Sequence, residues 1–345
     1  MSNSHNPTID ILKGICITLV VICHYCPIPI LKPMCDVIYT FHMPAFMWMS
    51  GFLYILSLRA DESYLKFQVR KAQRLLLPYI IVSAVIVTIK YFSQGVMYVE
   101  NPVTLKSYIR ILYLPEAGYF FWYIWALVLI FLVVPLFRTR KSRITLLTVS
   151  ALPYLLLHDI PQLFCLDQAL RFLPYFALGM STCDYMPLIT RIFKKRHTYT
   201  FIVIAILLLA FVTAIFIYGD CRNNKLHGYA AGILGAGSLI CLAYAYTRSK
   251  WLPTGLPILL ANASIIIYMF HTTVQGFCKA IVHKLTDVGI QASPVVDFLV
   301  AFTLSMIVCI GLYLILQSFR ITSRLFGLKY KNHDKSRIKA ANDHA

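Results

Sequence analysis

The stretch DILKGICITLVVICH, residues 10–24, decides the fold. Ten uncharged residues separate Lys13 from His24. Eleven residues are close to a whole number of helical turns, so both side chains are predicted on one face of a helix, about 16 Å apart along its axis. Ionisable residues inside an apolar helix indicate a functional site. Snorkelling of Lys13 to the interface and simple packing of His24 would give the same pattern.

The composition is that of a membrane protein. The chain has 345 residues, of which 59% are hydrophobic and 13% charged, and its mean hydropathy is +0.70. Its net charge of +18 lies in short basic clusters between apolar runs, a pattern typical of membrane topology and not of nucleic-acid binding. The ten cysteines are scattered mostly through apolar segments. Cys23 and Cys26 flank His24, but without a second ligand pair nearby they predict no metal or redox site.

We expect an all-α integral membrane protein, a bundle of about ten transmembrane helices with both termini in the cytoplasm. More than two thirds of the 32 lysines and arginines fall on the side that holds the N-terminus, which predicts this orientation. The predicted organisation is a cytoplasmic segment 1–8, a transmembrane domain 9–320 and a basic cytoplasmic tail 321–345 that is partly disordered. The predicted membrane spans are 9–26, 36–58, 75–93, 119–137, 144–159, 166–182, 199–218, 228–247, 256–278 and 294–318.

Unusual polar residues from distant helices fall at one depth, in the outer part of the predicted bundle. They are His24, His42, Trp122, Arg171 and His271. Convergence of this kind indicates a polar cavity. Trp122 also fits an interfacial aromatic belt, and Arg171 fits snorkelling to the interface.

A basic cluster lies on the predicted cytoplasmic side. It consists of Arg70, Lys71 and Arg74. Positive-inside topology explains these charges, and binding of an anionic phosphate ligand explains them equally well. His158 lies at a predicted helix end and is expected at the membrane interface.

Several motifs recur in an order that is typical of one family. They are Asp10-x-x-Lys13, His24, Phe41-His42-Met43-Pro44-Ala45-Phe46 with Ser50-Gly51, Arg70-Lys71-x-x-Arg74 with Pro78-Tyr79, Phe121-Trp122-Tyr123, Arg171 to Gly179, and Tyr268-Met269-Phe270-His271. In this order and spacing the chain resembles the integral membrane acyltransferases of acyltransferase family 3. These include O-acetyltransferases of bacterial surface polysaccharides and fucose acetylase-like enzymes. The resemblance covers about residues 8–320.

The resemblance implies an acyltransferase of the bacterial inner (plasma) membrane, a multi-pass protein. The implied reaction moves an acetyl or other short acyl group from cytoplasmic acyl-CoA, such as acetyl-CoA, to a hydroxyl of a surface or lipid-linked glycan. Acyl-CoA is thus a donor substrate, and no bound cofactor or metal is expected. The expected partners are acyl-CoA, the glycan or lipid-linked saccharide, and membrane lipid, with no nucleic acid.

The implied roles follow the motifs. His24 is a general base or a transient acyl carrier, and Asp10 and Lys13 organise the cytoplasmic end of the acyl path. The donor-binding residues would be Lys13, Arg70, Lys71 and Arg74. The acceptor-binding residues would be His42, Trp122, Arg171 and His271.

One departure and two alternatives accompany the resemblance. Lys13 stands where the family often has arginine, which keeps the charge but loses bidentate phosphate geometry. One alternative function is a non-catalytic partner of a glycan assembly complex. The other is a transporter or flippase of polysaccharide intermediates, in which the same residues would line a conduction path. Transporters commonly consist of two related halves. No internal repeat is visible in the sequence.

Overall fold

The computed structural model describes residues 6–59, 62–157, 159–193, 197–221, 223–249, 252–291 and 293–331. His158 and the predicted tail from residue 332 onward lie outside the described residues. Within them the chain is helical and contains no β-strand. The α-helices are α1 (Pro7–His24), α2 (Lys32–Tyr39), α3 (His42–Leu56), α4 (Tyr64–Ser93), α5 (Ser107–Arg110), α6 (Trp122–Val133), α7 (Arg140–Val149), α8 (Leu152–Leu156), α9 (Leu166–Asp184), α10 (Met186–Phe193), α11 (Thr198–Tyr218), α12 (Lys225–Arg248), α13 (Gly255–Asp287), α14 (Pro294–Ser318) and α15 (Arg320–Leu325).

Seven helical segments of the described chain are long and apolar enough to cross a membrane. They are α1, α4, the segment Tyr119–Leu136 that contains α6, α11, α12, α13 and α14. The predicted all-helical, multi-pass membrane class is therefore confirmed. The predicted count of ten is not confirmed by these seven, because the segments expected at 36–58 and 144–159 each form two shorter helices and α9 is not among the seven.

Proline explains both breaks. Pro44 and Pro153 lack the N–H that would bond to the carbonyl four residues earlier, and a proline ring clashes with that carbonyl. In an uninterrupted helix the carbonyls of Thr40 and Val149 would accept these bonds. Instead, α2 ends at Tyr39 and α7 ends at Val149. Each proline is instead accommodated in the first turn of the next helix, α3 or α8.

The first helix lies against several others. It packs on α13, α12, α3, α2 and α14, and its buried face consists mostly of aliphatic residues and cysteines. A helix surrounded in this way can present a polar face only to a cavity between helices. The polar residues of α1 therefore mark where such a cavity lies.

Two glycines bring α3 and α9 into close contact. A Cβ atom on Gly51 would lie 1.9 Å from the carbonyl oxygen of Phe176, and one on Gly179 would lie 2.0 Å from that of Trp48. Membrane helices associate through such close packing, which small residues permit. This contact brings Arg171 and Phe172 of α9 to the same cavity as α3.

Candidate active site

A cavity of about 1410 Å³ runs beside α1. The α1 residues that line it are Ile9, Asp10, Lys13, Ile17, Val20 and His24. From Asp10 onward they recur every three to four residues and so form one face of the helix. The helix rises about 21 Å between Asp10 and His24. The cavity therefore extends along most of α1, and the side chains of Lys13 and His24 both line it.

Three histidines lie near one end of the cavity, which we call the histidine end (His24, His42 and His271). The ring of His24 lies 5.0 Å from that of His271, measured between centroids, with their planes at 61°. Phe120 lies against both rings, at 6.2 Å and 5.7 Å. Tyr39 lies between His24 and His42, with its ring 6.2 Å from the first and 5.2 Å from the second.

Backbone hydrogen bonds set the protonation of two of these rings. Nδ1 of His271 lies 2.7 Å from the carbonyl oxygen of Ile267, and Nδ1 of His42 lies 2.8 Å from that of Ile38. A carbonyl only accepts, so Nδ1 donates in both rings and Nε2 is left as the acceptor of a neutral imidazole. The Nε2 atom of His271 is buried without a partner among the described residues. His24, in contrast, is half-buried, and within the described chain neither of its ring nitrogens is held by a hydrogen bond.

Three cations lie near the other end of the cavity, which we call the basic end (Lys13, Lys71 and Arg74). Arg74 interacts electrostatically with both lysines, and Asp10 interacts with Lys13. The ammonium of Lys71 lies 4.2 Å from the centre of the Phe131 ring, a cation–π distance. Positive charge thus exceeds negative charge here, which suits an anionic ligand.

Arg70, expected to bind the donor with these residues, points elsewhere. Its Nε donates to Oε1 of Glu62 at 2.8 Å, and its second guanidinium nitrogen donates to Oε2 at 2.5 Å. Arg70 does not line the cavity. The bidentate bond from Arg70 lowers the pKa of Glu62. Arg70 therefore does not line the cavity with Lys71 and Arg74, although all three share one helix.

The remaining expected acceptor residues differ in position. Trp122 lines the cavity and stacks on Phe172, with centroids 4.9 Å apart and planes at 21°. Arg171 also lines the cavity, and its guanidinium lies 5.4 Å from the Phe172 ring. His42 lines it and is 1% exposed. His271 is fully buried and does not line the cavity itself, but its ring contacts His24 and Phe120, which do.

Sequence reasoning assigned no role to several cavity residues. Tyr39 belongs to α2, and nothing local in the sequence indicates that this helix folds against His24. Tyr268 lines the cavity and donates its hydroxyl to the carbonyl of Phe120 at 2.7 Å. Its place three residues before His271 was a usable signal. Lys279 also lines the cavity, and its ammonium pairs with Glu100 at 2.7 Å.

The fold and cavity define a multi-pass, all-helical membrane protein with a basic end and a histidine end joined along one helix. A family model described as an acyltransferase domain matches residues 6–314. The chain belongs to this family, acyltransferase family 3, and is a membrane acyltransferase. No curated protein and no solved structure matches the chain.

Proposed function

We propose that the protein transfers an acetyl or other short acyl group from acyl-CoA to a hydroxyl of a surface or lipid-linked glycan. One observation carries the proposal: the cavity along α1 joins the basic end to the histidine end. Phosphate groups bind cationic side chains through charge-assisted hydrogen bonds, which suits the basic end to CoA. Neutral imidazoles accept protons from hydroxyls, which suits the histidine end to the acceptor.

The proposed topology places the basic end in the cytoplasm and the histidine end toward the outside of the bacterial inner membrane. The distribution of lysines and arginines supports this orientation, with both termini inside. It requires an even number of crossings, and we propose ten, with α3, α9 and the α7–α8 pair crossing in addition to the seven apolar segments. The predicted organisation into segments 1–8, 9–320 and 321–345 is kept.

In the proposed reaction His24 is the general base. Its imidazole takes the proton of the acceptor hydroxyl while that oxygen attacks the thioester carbonyl of the donor. The tetrahedral intermediate then collapses, the carbon–sulfur bond breaks, and the imidazolium of His24 returns the proton to the leaving CoA thiolate. The same ring could instead carry the acyl group as an acyl-imidazole, a route that trapping of the intermediate distinguishes.

His271 would position His24. With its Nδ1 proton held by the backbone, Nε2 of His271 can accept a hydrogen bond from an N–H of His24. This bond would leave the other nitrogen of His24 as the proton acceptor. It would also satisfy an atom whose burial without a partner costs about 1–3 kcal/mol. His42, Trp122 and Arg171 would hold the acceptor glycan.

The test compares His24→Gln with the unchanged protein in proteoliposomes. Release of CoA from acetyl-CoA is measured with and without a lipid-linked glycan acceptor. Glutamine keeps hydrogen bonding but cannot take the proton, so we expect acceptor-dependent release to fall by about 10²–10⁴-fold. His283→Gln is the matched control, because His283 lies on α13 outside the cavity with about half of its side chain exposed.

Two outcomes would contradict the proposal. Near-normal transfer by folded His24→Gln would exclude His24 as base or acyl carrier. Glycan movement across the membrane that depends on His24, without any consumption of acyl-CoA by the unchanged protein, would favour the transporter.

A further inference from the structure

The last turn of α1, which carries His24, is held by side chains from two other helices. The last four carbonyl groups of an α-helix have no hydrogen-bond partner within that helix. In α1 one of them, the carbonyl of Val21, accepts a bond from Nε2 of Gln275 on α13 at 2.9 Å. A second, the carbonyl of Cys23, accepts one from the hydroxyl of Tyr39 on α2 at 2.7 Å. The end of α1 is therefore fixed from two sides.

A third contact holds the residue that follows His24. Tyr25 leaves the helix in an extended conformation, with φ −139° and ψ 95°. Its hydroxyl donates a hydrogen bond to Oδ2 of Asp297, which lies in the first turn of α14. Asp297 is buried, and its backbone N–H donates to the carbonyl of Ser293 at 2.9 Å. The chain is thus tied to α14 one residue beyond the imidazole.

The contact between Tyr25 and Asp297 lies outside the cavity. Neither residue lines the cavity, whereas Lys279, which lies over the Tyr25 ring, does. The ammonium of Lys279 lies 5.2 Å from the centre of that ring, a cation–π distance, and 2.7 Å from Oε2 of Glu100. A substitution at Tyr25 or Asp297 therefore removes no side chain from the cavity wall. Any effect on the reaction has to pass through the residues that the two hold in place.

His24 depends on such support. No hydrogen bond from the described residues holds its ring, which lies against the rings of His271 and Phe120. Helix ends fray when nothing holds them. A general base acts only within hydrogen-bond reach of the proton that it takes, and a misplacement of about 1 Å can cost about 10²-fold in rate. A loose end of α1 would allow a misplacement of this size.

We propose that Tyr25 and Asp297 are positioning residues for His24. Their hydrogen bond fixes the backbone directly after His24. Together with the bonds from Gln275 and Tyr39, it holds the imidazole where it meets the acceptor hydroxyl. Neither Tyr25 nor Asp297 touches substrate or exchanges a proton in the reaction. The inference rests on the proposed function, because it concerns the position of the base in that reaction.

The first measurement needs no activity. The full-length protein is purified in detergent and treated with diethyl pyrocarbonate, which modifies neutral imidazoles, and modification of His24 is timed by mass spectrometry. We expect His24 to be modified about fivefold faster in Tyr25→Phe, the change in local opening that corresponds to the loss of one hydrogen bond. Tyr313→Phe should match the unchanged protein. Tyr313 lies on α14 outside the cavity, and its hydroxyl forms no hydrogen bond with the described residues.

The second measurement is steady-state acyl transfer in proteoliposomes. We expect kcat to fall by about 10- to 100-fold in Tyr25→Phe and in Asp297→Ala. The donor and acceptor KM should stay near their original values, because the cavity wall is unchanged. The double variant should be no slower than either single variant, since the two residues act as a unit. Asp297→Asn keeps an acceptor for the tyrosine hydroxyl and should retain most of the rate.

Several results would overturn the proposal. One is an unchanged modification rate of His24, or a normal kcat, in folded Tyr25→Phe. Another is a raised KM with kcat unchanged, which would assign the two residues to substrate binding. Equal acceleration at the buried rings of His42 and His271 would indicate general loosening and not positioning. If the unchanged protein transfers no acyl group, the proposed function fails, and the modification rates still decide whether Tyr25 and Asp297 hold His24.

Discussion

Arg74 provides a sharp test of donor binding at the basic end. It lines the cavity, and it interacts electrostatically with Lys13 and Lys71, so its charge influences the whole basic end. Arg70 stands one turn earlier on the same helix but is paired with Glu62 away from the cavity. Arg74→Gln and Arg70→Gln therefore remove the same charge from one helix, while only the first removes it from the cavity.

The expected magnitude follows from the type of bond that is lost. A hydrogen bond to a charged group contributes about 1.5–3 kcal/mol. Since about 1.4 kcal/mol is a factor of ten, the donor KM should rise about 10- to 150-fold in Arg74→Gln. The acceptor KM should stay near its original value, because the histidine end is unchanged. Arg70→Gln should keep a normal donor KM and lose some stability, because Glu62 then loses its bidentate partner.

The assay is steady-state acyl transfer in proteoliposomes. Acyl-CoA is varied at fixed acceptor, and the acceptor is then varied at fixed acyl-CoA, for the unchanged protein and both variants. Two results would refute the reasoning. One is an unchanged donor KM in folded Arg74→Gln, which would leave the cluster as a topology signal alone. The other is an equal rise in Arg70→Gln, which would mean that the effect does not act through the cavity.

Two further predictions concern topology and packing. A reporter fused after Ala345 should report the cytoplasm. Gly95→Cys, at a position with open space for a side chain, should be labelled by an impermeant thiol reagent from outside; labelling from the same side as the reporter would contradict the ten-crossing arrangement. Gly179→Ala should lower stability by about 1–3 kcal/mol, seen as a lower melting temperature in detergent, because its Cβ would meet the carbonyl of Trp48. Gly311→Ala, where nothing lies within 4 Å of the new Cβ, should melt normally, and equal losses would exclude the α3–α9 contact as the cause.

The sequence could predict what depends on local pattern. Apolar runs of sufficient length predict membrane helices. The reason is that backbone N–H and C=O groups in the bilayer core find no water and must hydrogen-bond to one another. Helical periodicity predicts which residues of one helix share a face, and it puts Lys13 and His24 on a common face of α1. The order of the motifs was also enough to suggest acyltransferase family 3. Proline at position 44 could have predicted the break between α2 and α3, had its missing N–H been weighed against the length of the apolar run.

The tertiary structure alone decided which side chains of different helices meet. The local sequence does not predict that Arg70 bonds to Glu62 while Arg74 lines the cavity. Likewise, Tyr39 reaches the end of α1 only because α2 folds back on it. The physical reason is that periodicity is a property of one helix, whereas contacts between helices depend on close packing among segments distant in the chain.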